Sequence, residues 1–560
     1  MTGLFIDERR LLDGPWQAFE RDVARALIFA GFDDVRIVGG TGDKGADVVG
    51  VKAGRVWVVQ CKFTSTSAPP RSAVREVIDA SRFYEADELA IATSRPASSA
   101  LTDEITSAAA LGFKVHLLDP ARLLQLVGGV PLYPPSRRKL RQYQEEATER
   151  LVDALLETGR GQLVLATGLG KTVVMAEVAS RLYEAGELPN GRILVLADKR
   201  ELVRQLQLGF WSQLPKSVPT HLLTSDEEPA FWDGITFATV QSAALRLEEL
   251  PQFDALFVDE AHHIGSPTFQ AVVARLKPPR LAGVTATPWR GDEFDIDTLL
   301  GQPLVKVGIA EGLERGYLSD VDYRLLADNL DWDMVQEASA FGYSLSQLNR
   351  RLIIPSRDEE AARILAQVFQ DEKRRAGLVF SPTIEHANQF AAQLRLLKLR
   401  AETINGELPA RERDLLMTRF RKGQIDVLCT VDLFNEGVDV PDVDLIAFMR
   451  ATHSRRIFVQ QLGRGLRVTQ GKDKVVVLDF VTDLRRIAEV VELERAARQN
   501  SPLERLPLGG HLMEFTDHSA GSYLMEWVRD QADLMLREGD PMLELPRFDF
   551  PETLPHGGAH

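Results

Sequence analysis

The chain has 560 residues, too many for one hydrophobic core, so three or four domains are expected. Hydrophobic residues make up 44% and charged residues 26%, an ordinary globular balance, and no apolar run is long enough to span a membrane. A net charge of −15 and only two cysteines, Cys61 and Cys429, argue against a basic nucleic-acid coat, a disulfide framework and a cysteine zinc site, while leaving room for local basic grooves.

The N-terminus, MTGLFIDERR, is charged where a secretory signal would be apolar, so a cytoplasmic protein with no membrane partner is expected. Pro15 to about Phe29 reads as a helix with Trp16, Phe19, Val23, Ala26 and Leu27 on its apolar face. Glu20 falls on that face. A carboxylate beside a buried stripe either pairs with a nearby arginine or serves a site. A glycine-rich approach, Gly39 to Asp47, leads into a strand from Val48 to Val51, a turn at Ala53-Gly54 and a return strand from Arg55 to Phe63. That turn sets Asp47 opposite Gln60. Alternation puts Lys62 on the same face and Trp57, Val59 and Cys61 on the other.

Asp47 and Gln60 offer oxygen ligands for Mg²⁺ or Mn²⁺, with Glu20 as an added metal-shell candidate. Lys62 can polarise a nucleophile, which suits metal-assisted phosphodiester cleavage. Gly40, Gly42, Asp43, Gly45, Asp47, Gln60 and Lys62 together resemble the Mrr-type restriction endonucleases of the PD-(D/E)xK fold, over roughly Trp16 to Leu126. The resemblance implies a DNA-cleaving α/β domain at 13–127. Gln60 stands where the wider fold has a carboxylate, which lowers the charge of the site. Segments Val74 to Tyr84, Leu89 to Thr93, Leu101 to Leu111 and Val115 to Leu118 continue the α/β rhythm. Gly128-Gly129, Pro131 and Pro134-Pro135 mark a linker at 128–139.

In the next domain, 140–318, the apolar run Leu163 to Leu165 breaks into Thr167-Gly168-Leu169-Gly170, and Lys171-Thr172 opens a helix. Backbone amides and the helix N-terminus can cradle phosphates there, Lys171 can reach the terminal phosphates and Thr172 can hold Mg²⁺. One departure stands out: the position six before the lysine is Leu165, not glycine. Ala255 to His263 then carries Asp259 and Glu260 at a strand's C-terminal end, where parallel sheets bind ligands. Asp259 would hold Mg²⁺ through water and Glu260 would take the proton of the attacking water. Segment 319–356 contains a strand-like piece, Val321 to Leu326, and reads as a connection or small insert. A second α/β domain follows at 357–493. There Arg464 and Arg467 lie one turn apart as candidate fingers on the γ-phosphate. From 494 to 560 the pattern fades into a partly helical extension and a tail rich in Pro and Gly.

These motifs, in this order, resemble the two RecA-like domains of a superfamily two DEAH-type helicase, in the group that includes type I and type III restriction motors. The resemblance implies adenine reading by Gln144 with Arg141, ATP contacts from Gly437 and Asp439, and coupling of the ATP site to the DNA path through His262, Thr285, Thr287 and Gln460. The fold class expected is α/β: a PD-(D/E)xK nuclease-like domain, two tandem RecA-like domains with parallel sheets, and a short C-terminal extension. The function expected is an ATP-dependent DNA helicase or translocase fused to a metal-dependent endonuclease, in restriction, defence or repair. Duplex or branched DNA is a better fit than RNA, and protein partners of a restriction or defence system are expected. Two alternatives stay open: a motor whose nuclease-like domain only binds DNA or docks partners, and a nucleotide switch that clamps nucleic acid.

Overall fold

The computed structural model describes residues 3–38, 45–286, 295–308, 311–312, 315–325, 358–431, 443–449 and 474–480. The N-terminal part begins with helices α1 (Glu8–Leu12) and α2 (Trp16–Phe29), followed by strand β1 (Asp33–Ile37). Then come β2 (Val48–Lys52), β3 (Arg55–Lys62), α3 (Ser72–Tyr84), β4 (Glu88–Thr93), α4 (Ser99–Ala110), β5 (Val115–Leu118) and α5 (Pro120–Gly129). The sheet order is β1-β2-β3-β4-β5; the first two pairings are antiparallel and the last two parallel. Ala53 and Gly54 both take positive φ, 50° and 76°, as the tight hairpin turn between right-twisted strands requires. The resulting register, Val48 opposite Val59, is the one read from the sequence. Period-two alternation then sends Val59 and Cys61 toward α2 and α5, and Val58 toward α3 and α4.

The next part comprises α6 (Gln142–Glu157), β6 (Arg160–Leu165), α7 (Lys171–Glu184), β7 (Arg192–Ala197), α8 (Arg200–Trp211) and β8 (Thr220–Leu223). It continues through β9 (Gly234–Thr239), α9 (Val240–Leu245), β10 (Ala255–Asp259), α10 (Pro267–Leu276), β11 (Arg280–Thr285), α11 (Asp297–Leu300) and β12 (Pro303–Val307). Seven parallel strands pair in the order β12-β6-β11-β10-β7-β9-β8. The C-terminal ends of β6, β11 and β10 are therefore neighbours, which brings the phosphate loop beside Asp259 and Glu260.

The stretch 128–139, expected as a linker, begins inside α5. Asp119 caps α5, Pro120 opens it, and Leu123 and Val127 bury its face, so the helix continues through Gly128-Gly129 despite their low helix propensity. The residues after it form a packed strap. Tyr133 hydrogen-bonds Glu184, Arg137 lies across both oxygens of Glu177 at 3.1 Å, and the Arg138 amide donates to Gln213 Oε1 at 2.8 Å. The two domains also meet directly. Trp211 of α8 lies in the same core as Phe19 and Val23 of α2. Arg21 makes a two-point ion pair with Glu227, its Nη1 at 2.6 Å from Oε2, and both residues are buried. Arg25, 1% exposed, donates to the carbonyls of Val218 at 2.7 Å and Pro215 at 3.1 Å. Burial holds its guanidinium down at about 9. These buried contacts from the Nη atoms of Arg21 and Arg25 tie α2 to the second domain.

The last domain has a parallel sheet in the order β13-β18-β17-β14-β16-β15, formed by Asp320–Leu325, Lys474–Asp479, Leu445–Phe448, Gly377–Phe380, Val427–Thr430 and Ala401–Ile404. Its helices Asp358–Asp371 and Ile384–Leu396 cover one face through Leu365, Phe390 and Leu394. The strand-like piece expected within 319–356 lies at the edge of this sheet. Residues 320–325 form an edge strand in register with β18, Val321 opposite Val475. Its partner lies about 150 residues downstream, a pairing that local pattern does not carry. No helix among the described residues is long and apolar enough to cross a membrane.

Candidate active sites

The phosphate loop is held from two sides. Gly168 and Gly170 take φ of 92° and 83°, the left-handed region that suits glycine. Leu169 between them is fully buried and anchors the loop in the core. Its carbonyl accepts from Tyr143 Oη at 2.8 Å and Gln144 Nε2 at 2.9 Å. A Cβ on Gly170 would stand 2.6 Å from Gln144 Nε2, so only glycine lets α6 approach this closely. Gln144 Oε1 accepts from the Arg141 amide at 2.9 Å. Gln144 and Arg141 therefore sit at the loop, with the glutamine amide bracing it. Tyr143 was missed from the sequence. It lies in the same LRQYQ stretch but reads there as an apolar core position.

At the end of β10, Glu260 takes a left-handed φ of 50°, which turns its side chain back over the loop. Lys171 Nζ lies 2.8 Å from Glu260 Oε1. Glu260 Oε2 is 3.3 Å from His262 Nδ1, which is 2.8 Å from Thr285 Oγ1 at the end of β11. Lys171, Glu260, His262 and Thr285 thus form one continuous polar chain. Asp259 is 7% exposed. Burial raises its pKa, and the neighbouring Glu260 charge adds to the rise. Two carboxylates crowded in a poorly solvated corner are relieved by a cation, so the donor set fits Mg²⁺ held with nucleotide phosphates by Asp259 and Thr172. Thr167 Oγ1 is buried without a hydrogen-bond partner among the described residues.

In the N-terminal domain Asp47 and Gln60 are 2% and 3% exposed and touch, with Gln60 Nε2 donating to Asp47 Oδ2 at 2.7 Å. The same oxygen accepts from the Cys61 amide at 2.6 Å. Gln60 Oε1 is buried with no hydrogen-bond partner among the described residues. An orphaned oxygen beside a carboxylate fits a divalent cation, although among the described residues no three or more His, Cys, Asp or Glu cluster to hold a metal. Lys62, on the same face of β3 as Gln60, pairs with a helix carboxylate. Its Nζ lies 2.5 Å from Glu76 Oε2 on α3. A Cβ on Gly45 would fall 2.4 Å from the Glu76 carbonyl, so the glycine approach is pressed against that same turn of α3. Glu20 is buried on α2, which covers the sheet's opposite face, so it shares the end of the sheet rather than the face of Lys62. Burial pushes the Cys61 thiol up, and the charges of Asp47 and Glu20 push it further. Glu76 was missed because it lies in an amphipathic helix with no motif around it. Gly40, Gly42, Asp43, Thr287, Gly437, Asp439, Gln460, Arg464 and Arg467 lie outside the described residues.

Three family models match in order: restriction endonuclease, Mrr catalytic type, over 11–127; type III restriction enzyme, res subunit, over 137–290; and helicase conserved C-terminal domain over 360–469. By these matches the chain carries an Mrr-type restriction endonuclease-like domain followed by helicase-like domains. It is similar to the DNA 3'-5' translocase XPB2 of Sulfurisphaera tokodaii, 28% identical over 61% of this chain and 82% of the relative. It is also similar to the type I restriction enzyme EcoKI endonuclease subunit of Escherichia coli K12, 26% identical over 62% of this chain and 36% of the relative. Among solved structures, the chain is similar in fold to the ATP-dependent type ISP restriction-modification enzyme LlaBIII bound to DNA, in a match covering 94% of this chain and 42% of that one at 17% identity and a TM-score of 0.54. The chain spans about half the length of several curated relatives that it matches.

Proposed function

We propose that the protein is an ATP-driven DNA translocase or helicase whose N-terminal domain cuts DNA with a divalent metal, in restriction, defence or repair. The observation that carries this reading is the polar chain from Lys171 through Glu260 and His262 to Thr285. It supports the reading because Lys171, Glu260, His262 and Thr285 touch one another in turn, which suits a phosphate-binding cation, a proton acceptor and a strand-end relay. With ATP bound, Lys171 leaves Glu260 for the β/γ-phosphates, which frees Glu260 to take a proton from the attacking water. Water attacks the γ-phosphorus, the bond to the ADP oxygen breaks, and the proton passes to Glu260. Mg²⁺ would supply charge neutralisation at the phosphates, held by Thr172 and Asp259. Arg464 and Arg467 are the proposed fingers, and Gly437, Asp439, Thr287 and Gln460 the proposed contacts that complete nucleotide binding and coupling.

At the nuclease site Asp47 and Gln60 would hold Mg²⁺ or Mn²⁺, which lowers the pKa of a bound water and offsets phosphate charge. Lys62 would exchange Glu76 for the scissile phosphate. DNA is the proposed polynucleotide, supported by the Mrr-type domain and by a DNA translocase among the relatives. The test is purified protein with labelled duplex, forked and single-stranded DNA, with and without ATP and Mg²⁺, scored for cleavage and strand release. DNA-stimulated ATPase without cleavage under any metal would leave the N-terminal domain as a binding or docking module. No ATPase at all would overturn the motor reading.

A further inference from the structure

Gly209 lies inside the last turn of α8. Glycine weakens a helix relative to alanine, so its presence there needs a reason. The reason is close approach. A Cβ at 209 would stand 2.6 Å from Thr172 Cγ2 and 3.7 Å from Thr172 Cβ. Thr172 is the second residue of α7, directly after the phosphate loop. In a helix a threonine divides between two χ1 wells, and whichever one its methyl takes decides where its hydroxyl points. The α8 backbone at Gly209 packs on that methyl. The residues on either side of Gly209 face elsewhere. Leu208 and Trp211 belong to the core built by Phe19 and Val23 of α2, and Trp211 Nε1 is tied to Thr220 Oγ1 at 2.9 Å. Within four residues, one helix touches the threonine of the nucleotide site and the core of the nuclease-like domain.

We infer that Gly209 is a positioning residue for Thr172, and that α8 transmits nucleotide state from the phosphate loop into the nuclease-like domain. The inference rests on Thr172 belonging to the ATP site and not on the nuclease being active. When nucleotide and metal select one rotamer of Thr172, the methyl either presses on α8 or withdraws from it. The α8 helix cannot yield locally, because Trp211 is 1% exposed and its partners are packed. The displacement therefore passes into the core that Trp211 shares with Phe19 and Val23 of α2.

The test uses the full chain and a substitution that reverses the collision. Gly209→Ala should raise KM for Mg·ATP between about tenfold and a hundredfold, with a smaller change in kcat, because the misplaced group binds the metal–nucleotide complex. Thr172→Ser keeps the hydroxyl and removes the methyl that the new Cβ would strike. The double variant should return KM to within about twofold of Thr172→Ser alone, the limit of additivity for uncoupled changes. If Gly209→Ala alone fails to fold, folding of the double variant carries the same information. A double variant no better than Gly209→Ala would overturn the positioning role. Transmission is read separately in wild type, as hydrogen exchange of the Phe19 to Phe29 amides with and without saturating Mg·ADP. A change that disappears in Lys171→Ala supports it, and identical exchange in both states sinks it. Wild type with no ATPase would instead point to failure of the motor reading.

Discussion

Two lysine–glutamate pairs sit at two strand ends of this chain, and they differ in what surrounds them. In the motor, Lys171 and Glu260 are 2.8 Å apart and mostly buried, at 11% and 17% exposure, beside a second carboxylate, Asp259. In the nuclease-like domain, Lys62 and Glu76 are 2.5 Å apart and more open, at 21% and 36%, while the buried Asp47 faces an amide. In the motor corner two carboxylates, Asp259 and Glu260, lie side by side, with Lys171 and His262 against Glu260. The nuclease corner is largely satisfied from within, since Gln60 Nε2 and the Cys61 amide both donate to Asp47. The first is built to receive a cation together with phosphates. In the second, a metal must compete with hydrogen bonds already made.

The largest effect expected is at the motor. Lys171→Ala removes the phosphate-loop cation paired with Glu260 and should lower kcat/KM for ATP by two to three orders of magnitude, the range for losing one preorganised electrostatic donor, ~10²–10³. Steady-state ATPase with saturating DNA checks it. Glu260→Gln should bind nucleotide and hardly turn over. If Glu260→Gln keeps wild-type turnover, the proton acceptor is another group and the contrast between the two corners loses its chemical meaning.

Much of this contrast is legible in the sequence, and the remainder is hidden for specific reasons. The hairpin register followed from Ala53-Gly54, because a two-residue turn fixes every pairing behind it. The neighbourhood of Lys171 and Glu260 followed from parallel strands that end together. Glu76 could not be read, since nothing local distinguishes a helix carboxylate that meets a lysine from one that meets water. The docking of the two domains was equally hidden. Arg21, Arg25 and Trp211 read as ordinary helix positions, and their partners are roughly 190 to 210 residues away or in another domain. A stretch rich in proline and glycine looked like a tether, yet Tyr133 and Arg137 pin it to α7. Composition reports backbone freedom in the unfolded chain, not which side chains find partners in the folded one.

A second, smaller effect follows from Asp259, whose carboxyl is pushed up to about 7 from 3.8 by burial first and by Glu260 second. A folded pKa raised above the unfolded value makes the nucleotide-free protein lose stability as pH rises from about 4 through 7. Metal binding needs the ionised form, so binding of Mg·ADP should tighten with pH over the same upper range, by about tenfold between pH 6 and pH 8. Calorimetric titration at several pH values measures it, and Asp259→Asn should flatten the profile while weakening binding. A profile that stays steep in Asp259→Asn would assign the titration to another group.

The smallest effect expected is at the nuclease corner, and it bears most directly on the comparison. Gln60→Glu replaces the amide that now donates to Asp47 with a second carboxylate. Without metal, two buried like charges face each other, so the variant should melt below wild type. With Mn²⁺ the repulsion becomes attraction to a shared cation, and the corner takes on the character of the motor site. Nucleotide-free protein should then bind Mn²⁺ about fivefold more tightly than wild type, a gain of about 1 kcal/mol, and Mn²⁺ should raise the melting temperature more in the variant than in wild type. Asp47→Ala should lose the response altogether. The rate of DNA cleavage need not rise with affinity, because a carboxylate lacks the Nε2 hydrogens that hold Asp47 in its present orientation. If Mn²⁺ affinity is unchanged by Gln60→Glu and survives Asp47→Ala, the hairpin does not hold metal, and the buried Gln60 oxygen is a packing feature of a DNA-binding module.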